Sequence, residues 1–222
     1  MCGRVRTPEE INQIKIELTI KHDRLNNYTP RWNVPPTSQL PVITSSDGER
    51  TLQWMRWGLI PAFIADIKKV GSTFNARAET VATKNSFRNA WKAGRRCLVV
   101  TSGFYEWSQS TKQPYAVALG NLQPMYMAGL WEEWRPKDCD PITSCTIITT
   151  EANPKMEPIH DRMPVIVDPD DFSKWLGEEP CDPASLLKPF DESRLAIWTV
   201  GKSVGNVRNQ GGKELAEPVA VA

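Results

Sequence analysis

The sequence predicts an α+β fold: a largely antiparallel, curved or barrel-like β-sheet flanked by short helices. Three observations predict it. From residue 95 onward, short β-branched and aromatic runs succeed one another, separated mostly by Gly, Pro, Asn or Asp. The connections between them are too short for a regular series of βαβ crossovers, each of which needs about a dozen residues or more. Helical periodicity is confined to a few short stretches.

In chain order, Thr7-Pro8-Glu9-Glu10 has the form of a capping box with Pro at the first helical position, and Ile11, Ile14 and Leu18 follow on one face. A helix over 8–19 is the expectation. The stretch 28–37 carries three prolines and reads as an ordered loop. Segments 39–44 and 50–57, joined across Asp47-Gly48, predict a hairpin. A second helix is expected near 84–93, ended by Gly94. Strands are expected over 97–101, 114–119, 125–131, 143–149, 164–167 and 195–200, and Glu106 lies in a further strand-like segment. Asp168-Pro169 opens a short helix ending at Gly177, and Asp182-Pro183 marks another. No repeat or linker interrupts residues 1–222, which read as one domain with a loose tail after about residue 215.

Hydrophobic residues at 40% and charged residues at 24% describe a soluble globule, and no apolar run approaches the ~18–20 residues of a membrane span. The first twenty residues are too polar for a secretory signal, so a cytoplasmic, membrane-free protein is expected. Five cysteines, no C-x-x-C pair and two histidines support neither a disulfide framework nor a metal site. Cys97 and Cys145 sit in apolar runs and read as packing residues. The net charge of +1 hides an asymmetry: residues 1–100 hold sixteen Lys/Arg against eight Asp/Glu, and residues 101–222 hold eleven against eighteen. A basic face, or two halves that attract each other, both follow.

The chemistry begins at the second residue. Removal of Met1, which the small side chain of Cys2 favours, leaves a cysteine with a free α-amine and a thiol on adjacent carbons. Such a 1,2-aminothiol condenses with an aldehyde to an imine, and the sulfur then closes a thiazolidine. The amine pKa of about 7.7–8.0 leaves a minority unprotonated at neutral pH, while a thiol near 8.5 is mostly protonated.

Further segments place polar residues beside apolar or turn residues in ways packing does not require: Asn33-Val34-Pro35, Trp57-Gly58-Leu59-Ile60-Pro61, Asn75-Ala76-Arg77-Ala78-Glu79, Gly103-Phe104-Tyr105-Glu106-Trp107, His160-Asp161-Arg162-Met163-Pro164 and Gly205-Asn206-Val207-Arg208-Asn209. With Cys2-Gly3-Arg4, these resemble the SOS-response-associated peptidase family, whose members covalently trap abasic sites in single-stranded DNA. The resemblance runs from Cys2 to about Glu217. It departs at Trp32, where many relatives have Tyr or Phe, at Pro36, where a small residue is frequent, and at Phe63, where Trp is frequent. These positions lie near the DNA path that the resemblance implies.

An abasic deoxyribose is mostly a closed hemiacetal, so a proton must move before its aldehyde is exposed. His160, with an ordinary pKa near 6.5, suits that task, whereas His22 sits in a polar stretch and reads as solvated. The resemblance implies that Glu106 contacts the Cys2 amine and accepts its proton. Asn75 offers both a donor and an acceptor for the sugar or the terminus. Arg4, Arg77 and Arg162 are candidate phosphate contacts, and the resemblance adds Asn33, Pro35 and Thr149 to the DNA-facing set. Trp131 and Trp198, in strands, read as core.

The implied function is capture of abasic sites in single strands and at single-to-double-strand junctions by a monomer without cofactor or metal. Two alternatives share its residues. One is a cysteine peptidase, at least self-processing, with Cys2, His160 and Asn75 as a triad. The other is a non-covalent reader of modified single-stranded DNA, whose binding would be reversible and salt-dependent.

Overall fold

The computed structural model describes residues 2–137 and 140–220; Cys139 lies outside them. Twelve strands and three α-helices are named in chain order: β1 (Val5–Arg6), α1 (Ile11–Glu17), β2 (His22–Arg24), β3 (Gln39–Ser46), β4 (Glu49–Trp57), β5 (Asn75–Arg77), α2 (Arg88–Lys92), β6 (Arg96–Thr101), β7 (Gly103–Trp107), β8 (Pro114–Leu119), β9 (Met125–Trp134), β10 (Ile142–Glu151), β11 (Arg162–Pro164), α3 (Phe172–Leu176) and β12 (Leu195–Thr199).

The large sheet runs β11-β10-β9-β6-β3-β4-β2. It closes on itself where Ser144 and Cys145 of β10 pair in parallel with Arg56 and Trp57 of β4, so that β4, β3, β6, β9 and β10 form a ring. The architecture is therefore α+β, with a curled, mostly antiparallel sheet and a few short helices. A smaller antiparallel sheet, β1-β7-β8-β12, packs beside it.

Strand alternation feeds two cores. Along β3 and β6, Val42 pairs with Val99 and Ile43 with Leu98. The first pair joins Leu40, Met55, Trp57 and Ile147 in a cluster shared with Val5, Phe104 and Val117 of the small sheet. The second joins Leu52, Leu130 and Ile148 beneath Ile11 and Ile14 of α1 and Phe172 and Trp175 of α3. Each fully buried side chain of this size contributes ~1.5–3 kcal/mol. Cys97 and Cys145 are packing residues of the first cluster.

The hairpin forms as expected: Asp47 and Gly48 both adopt positive φ, 53° and 77°, as a two-residue turn that follows the strand twist requires. The predicted capping box does not form. The Thr7 hydroxyl instead accepts from the Arg31 amide at 2.8 Å, α1 begins only at Ile11, and no side chain caps it. Tertiary pinning of the proline loop outcompetes the local cap. The second helix shrinks to Arg88–Lys92. The strand expected at 164–167 is shifted to Arg162–Pro164, with Ile166 bridging Met127 beyond it. The tail is tied further than expected: Pro218 bridges Val200, and the Val219 amide donates to Thr199. Trp131 and Trp198 are only partly buried.

Candidate active site

β1 delivers the N-terminal residues to the edge of β7. Val5 pairs with Phe104 and Arg6 with Gly103, and the Tyr105 amide donates to the Arg4 carbonyl at 2.9 Å. Continuing this antiparallel register brings Cys2 toward Glu106 and Trp107. Cys2 is completely enclosed, packed in the cluster with Val5, Val34 and Met156.

Alternation along β7 separates the side chains of this segment. Tyr105 and Trp107 pack on one face with Val200, Val204 and Trp198. Glu106, 4% exposed, points the other way and acts electrostatically on both Cys2 and His160. Its Oε1 accepts from the Trp107 amide at 3.3 Å. Burial, and then the Glu106 charge, hold the Cys2 thiol well above its ordinary pKa. Cys2 is thus kept as a neutral thiol.

β5 is a three-residue strand laid parallel to β10, with Asn75 opposite Ile147 and Arg77 opposite Thr149. The Phe74 carbonyl, which accepts from the Ile147 amide and the Trp57 indole, fixes the entry to it. Asn75 Nδ2 donates to the Cys2 carbonyl oxygen at 2.7 Å. Its Oδ1 is buried and finds no partner among the described residues. Arg77, two residues on, is exposed.

His160 ends a tight loop in which the His160 amide donates to the Met156 carbonyl and Asn153 Nδ2 donates to the Phe190 carbonyl. The Arg162 amide donates to His160 Nδ1 at 3.0 Å, and Asp161 Oδ1 lies 2.8 Å from the same nitrogen. One nitrogen cannot accept from an amide and donate to a carboxylate together. Burial lowers the imidazole pKa more than the Glu106 charge raises it, which favours the neutral ring. Gln109 Nε2 donates to Asp161 Oδ1 at 3.1 Å and ties this loop to the end of β7.

The expected DNA-facing residues divide. Arg77 is exposed, Pro35 and Pro36 are half-buried, and Phe63 is 58% exposed. Arg162 makes a two-pronged ion pair with Glu79 and also donates to the Thr149 carbonyl at 2.6 Å. Arg4, Asn33 and Thr149 differ from the surface contacts expected of them: all three are buried. Thr149 Oγ1 donates to Ala76, while Arg4 Nη1 donates to Asn33 Oδ1 at 2.6 Å and to the Val204 carbonyl at 2.7 Å. Asn33 Nδ2 donates to the carbonyls of Asn206 and Asn209. The segment 204–209, singled out by its polar run, is the outer half of a clamp on Arg4. That pairing spans the chain and has no local signal. His22 is exposed and pairs with Glu49 at 2.8 Å.

Among the described residues, no group of three or more His, Cys, Asp or Glu side chains could hold a metal, and no helix is long and apolar enough to cross a membrane.

Comparison with known proteins identifies the family. The model of the SOS response associated peptidase (SRAP) family matches residues 1–207. The abasic site processing protein YoqW of Bacillus subtilis is 36% identical over 218 residues, covering 94% of this chain and 96% of its own. The abasic site processing protein HMCES of Gallus gallus is 33% identical, covering 84% of this chain and 66% of its own. A crystal structure of a protein from Bacteroides thetaiotaomicron superposes with a TM-score of 0.87 at 25% identity, covering 99% of this chain and all of its own. With a family match across nearly its whole length and relatives of this similarity, the chain belongs to the SRAP family.

Proposed function

We propose that this protein processes abasic sites in DNA by capturing them covalently through Cys2 after loss of Met1. The observation that carries the reading is the convergence of a carboxylate and an imidazole on an enclosed Cys2 whose carbonyl is held by Asn75. The names of the relatives support the substrate.

The steps balance on these residues. His160 relays the proton that opens the hemiacetal to the C1′ aldehyde. Glu106 accepts a proton from the Cys2 ammonium, and the free amine adds to the aldehyde carbon. The carbinolamine loses water to give an iminium. The Cys2 sulfur then adds to that carbon, its proton is given up, and a thiazolidine results. An iminium left standing would acidify the C2′ hydrogens and expel the 3′ phosphate. Ring closure removes it and preserves the strand.

A cysteine peptidase needs a thiolate at Cys2, which burial and the Glu106 charge oppose; thiazolidine closure likewise requires the thiol proton to leave as the sulfur adds, so the two readings part at the α-amine, which only aldehyde capture uses. Single strands and single-to-double-strand junctions are the substrates, since in a duplex the sugar must first be unstacked at a cost of a few kcal/mol. Arg77 and Phe63, both exposed, supply a phosphate contact and a stacking face.

Intact-mass analysis of the purified protein with an abasic single strand tests the proposal. The expected product is a heat-stable adduct of the Met1-free chain. Cys2→Ala should give only a reducible imine and more strand cleavage. A heat-stable adduct in Cys2→Ala, or full-rate trapping by a chain that retains Met1, would falsify it.

A further inference from the structure

Arg6 is a buried cation that the site above does not use. It lies two residues beyond Arg4, at the opposite end of β1 from Cys2, roughly 13 Å away along an extended strand. It is 5% exposed, and among the described residues no carboxylate forms an ion pair with it. Its Nη2 reaches the carbonyls of Ser102 and Val117 only at 3.3 and 3.5 Å, and its Nε has no partner among the described residues. The rings of Tyr105 and Trp198 each stand 5.6 Å from the guanidinium carbon. The fold gives way to hold it there. Gly103 sits at φ 140°, where a Cβ would come within 2.4 Å of Arg6 Nη2 and 2.3 Å of the Val117 oxygen.

Arg6 is one of the residues lining a groove of about 380 Å³ between α1, the proline loop and the turn before β9. Ile14, Trp32 and Pro124 supply apolar and aromatic wall. Glu9, Glu10 and Glu17 also line it, and all three are exposed. An under-bonded arginine is a ready partner for a carboxylate or phosphate. The surrounding glutamates repel a polyanion such as a nucleic-acid backbone, and instead favour a ligand that carries positive charge next to its anionic end.

We propose that this groove recognises a carboxylate adjacent to a cationic group, the chemistry of a free basic amino acid or of a peptide chain ending in one, with Arg6 taking the carboxylate and Glu9, Glu10 and Glu17 the cation. It is a second binding site, separate from the Cys2 chemistry and independent of the function proposed above.

The test uses the full chain and four probes, followed by NMR titration of groove resonances: acetyl-Gly-Gly-Lys with a free carboxylate, the same peptide as its carboxamide, free L-lysine, and inorganic phosphate. The peptide acid should bind saturably, the carboxamide about tenfold more weakly or worse, and phosphate more weakly than the peptide acid. Whether peptide acid or lysine binds more tightly identifies the source of the carboxylate. Arg6→Gln should abolish binding. Because Arg6 is buried, a variant of the exposed rim guards against misfolding: Glu9→Lys with Glu10→Lys should weaken the peptide about tenfold and strengthen phosphate. Equal binding of acid and carboxamide, no saturable binding of either lysine probe up to about 10 mM, phosphate binding tighter than the peptide, or a rim variant that binds like the parent would each overturn the proposal.

Discussion

Asn75 Nδ2 donates to the carbonyl oxygen of Cys2 at 2.7 Å, and this hydrogen bond joins the short β5 to the chain three residues before β1. It fixes the peptide carbon next to the reacting amine. Asn75→Ala should slow capture of an abasic strand about tenfold to a hundredfold while costing only ~1 kcal/mol of stability, because one neutral hydrogen bond is lost but orientation is lost with it. Asn75→Asp, which sets an acceptor against a carbonyl, should be slower still. Single-turnover rates beside urea unfolding curves separate the two effects; a rate loss no larger than the stability loss would assign Asn75 a structural role alone.

His160 should leave a distinctive acid limb. Burial lowers its pKa below 6.5, so the neutral ring persists into mildly acidic solution and protonates only below the ordinary value. The component of the capture rate that needs neutral His160 should therefore be retained down to about pH 6.5 and fall below it. In stability the sign is the same. The unfolded chain binds this proton more readily, so stability drops as pH falls below the unfolded pKa and levels off below the folded one. The rate profile of His160→Gln should lack that limb; its survival would place the titration elsewhere.

Glu106 is the second cause of the raised Cys2 thiol, after burial. Glu106→Gln should lower the thiol pKa yet leave it above the ordinary range. Its effect on rate should be large, around 10²–10⁴-fold, because the amine loses its proton acceptor. Titration of the Cys2 ¹³Cβ resonance measures the first effect and single-turnover capture the second. A thiol pKa indifferent to the substitution would show that the two groups do not interact.

Arg50 is a polar tie between the hairpin and the end of α3. Its Nε and Nη2 reach both Glu178 oxygens at 2.8 and 2.6 Å, and Nη2 also donates to Ser173 Oγ at 3.1 Å. Burial pushes the Glu178 carboxyl up, but the two hydrogen bonds and the charge of Arg50 outweigh it, and the pKa falls below its ordinary value. A carboxylate with a depressed folded pKa stabilises above its unfolded pKa, and that contribution is lost as pH falls through the folded value. Glu178→Gln should cost about 1–3 kcal/mol at pH 7 and much less near pH 2. Denaturant midpoints at the two pH values check this; a cost independent of pH would mean that the charge contributes nothing.

How much of this was legible depends on how local each cause is. Asp47-Gly48 announced its hairpin because positive φ is written into those two residues. β3 and β6 were equally plain, as short apolar and β-branched runs. Thr7 misled, since its hydroxyl serves Arg31 rather than a helix amide. β5 is a strand only because β10 lies beside it, and three residues carry no period of their own. At the site, Cys2 was legible from elementary amine and thiol chemistry. Asn75, Glu106 and His160 stood out through family-like motifs, not through spacing. Arg4 and Asn33 were visible as motif members, but their inward direction depends on carbonyls at 204, 206 and 209, which no local pattern reports.

The bond from Arg4 to Val204 joins residues two hundred positions apart. A ribosome adding about 5–20 residues per second needs roughly 10–40 s to travel between them. Throughout that interval the clamp has no outer half, and the start of the chain stays open to whatever enzyme trims nascent polypeptides. In the function proposed above, which requires Met1 to be removed, the window for trimming opens as the N-terminus emerges and narrows once residue 204 is free to fold back. A protein refolded from full-length, untrimmed chains would have no such interval.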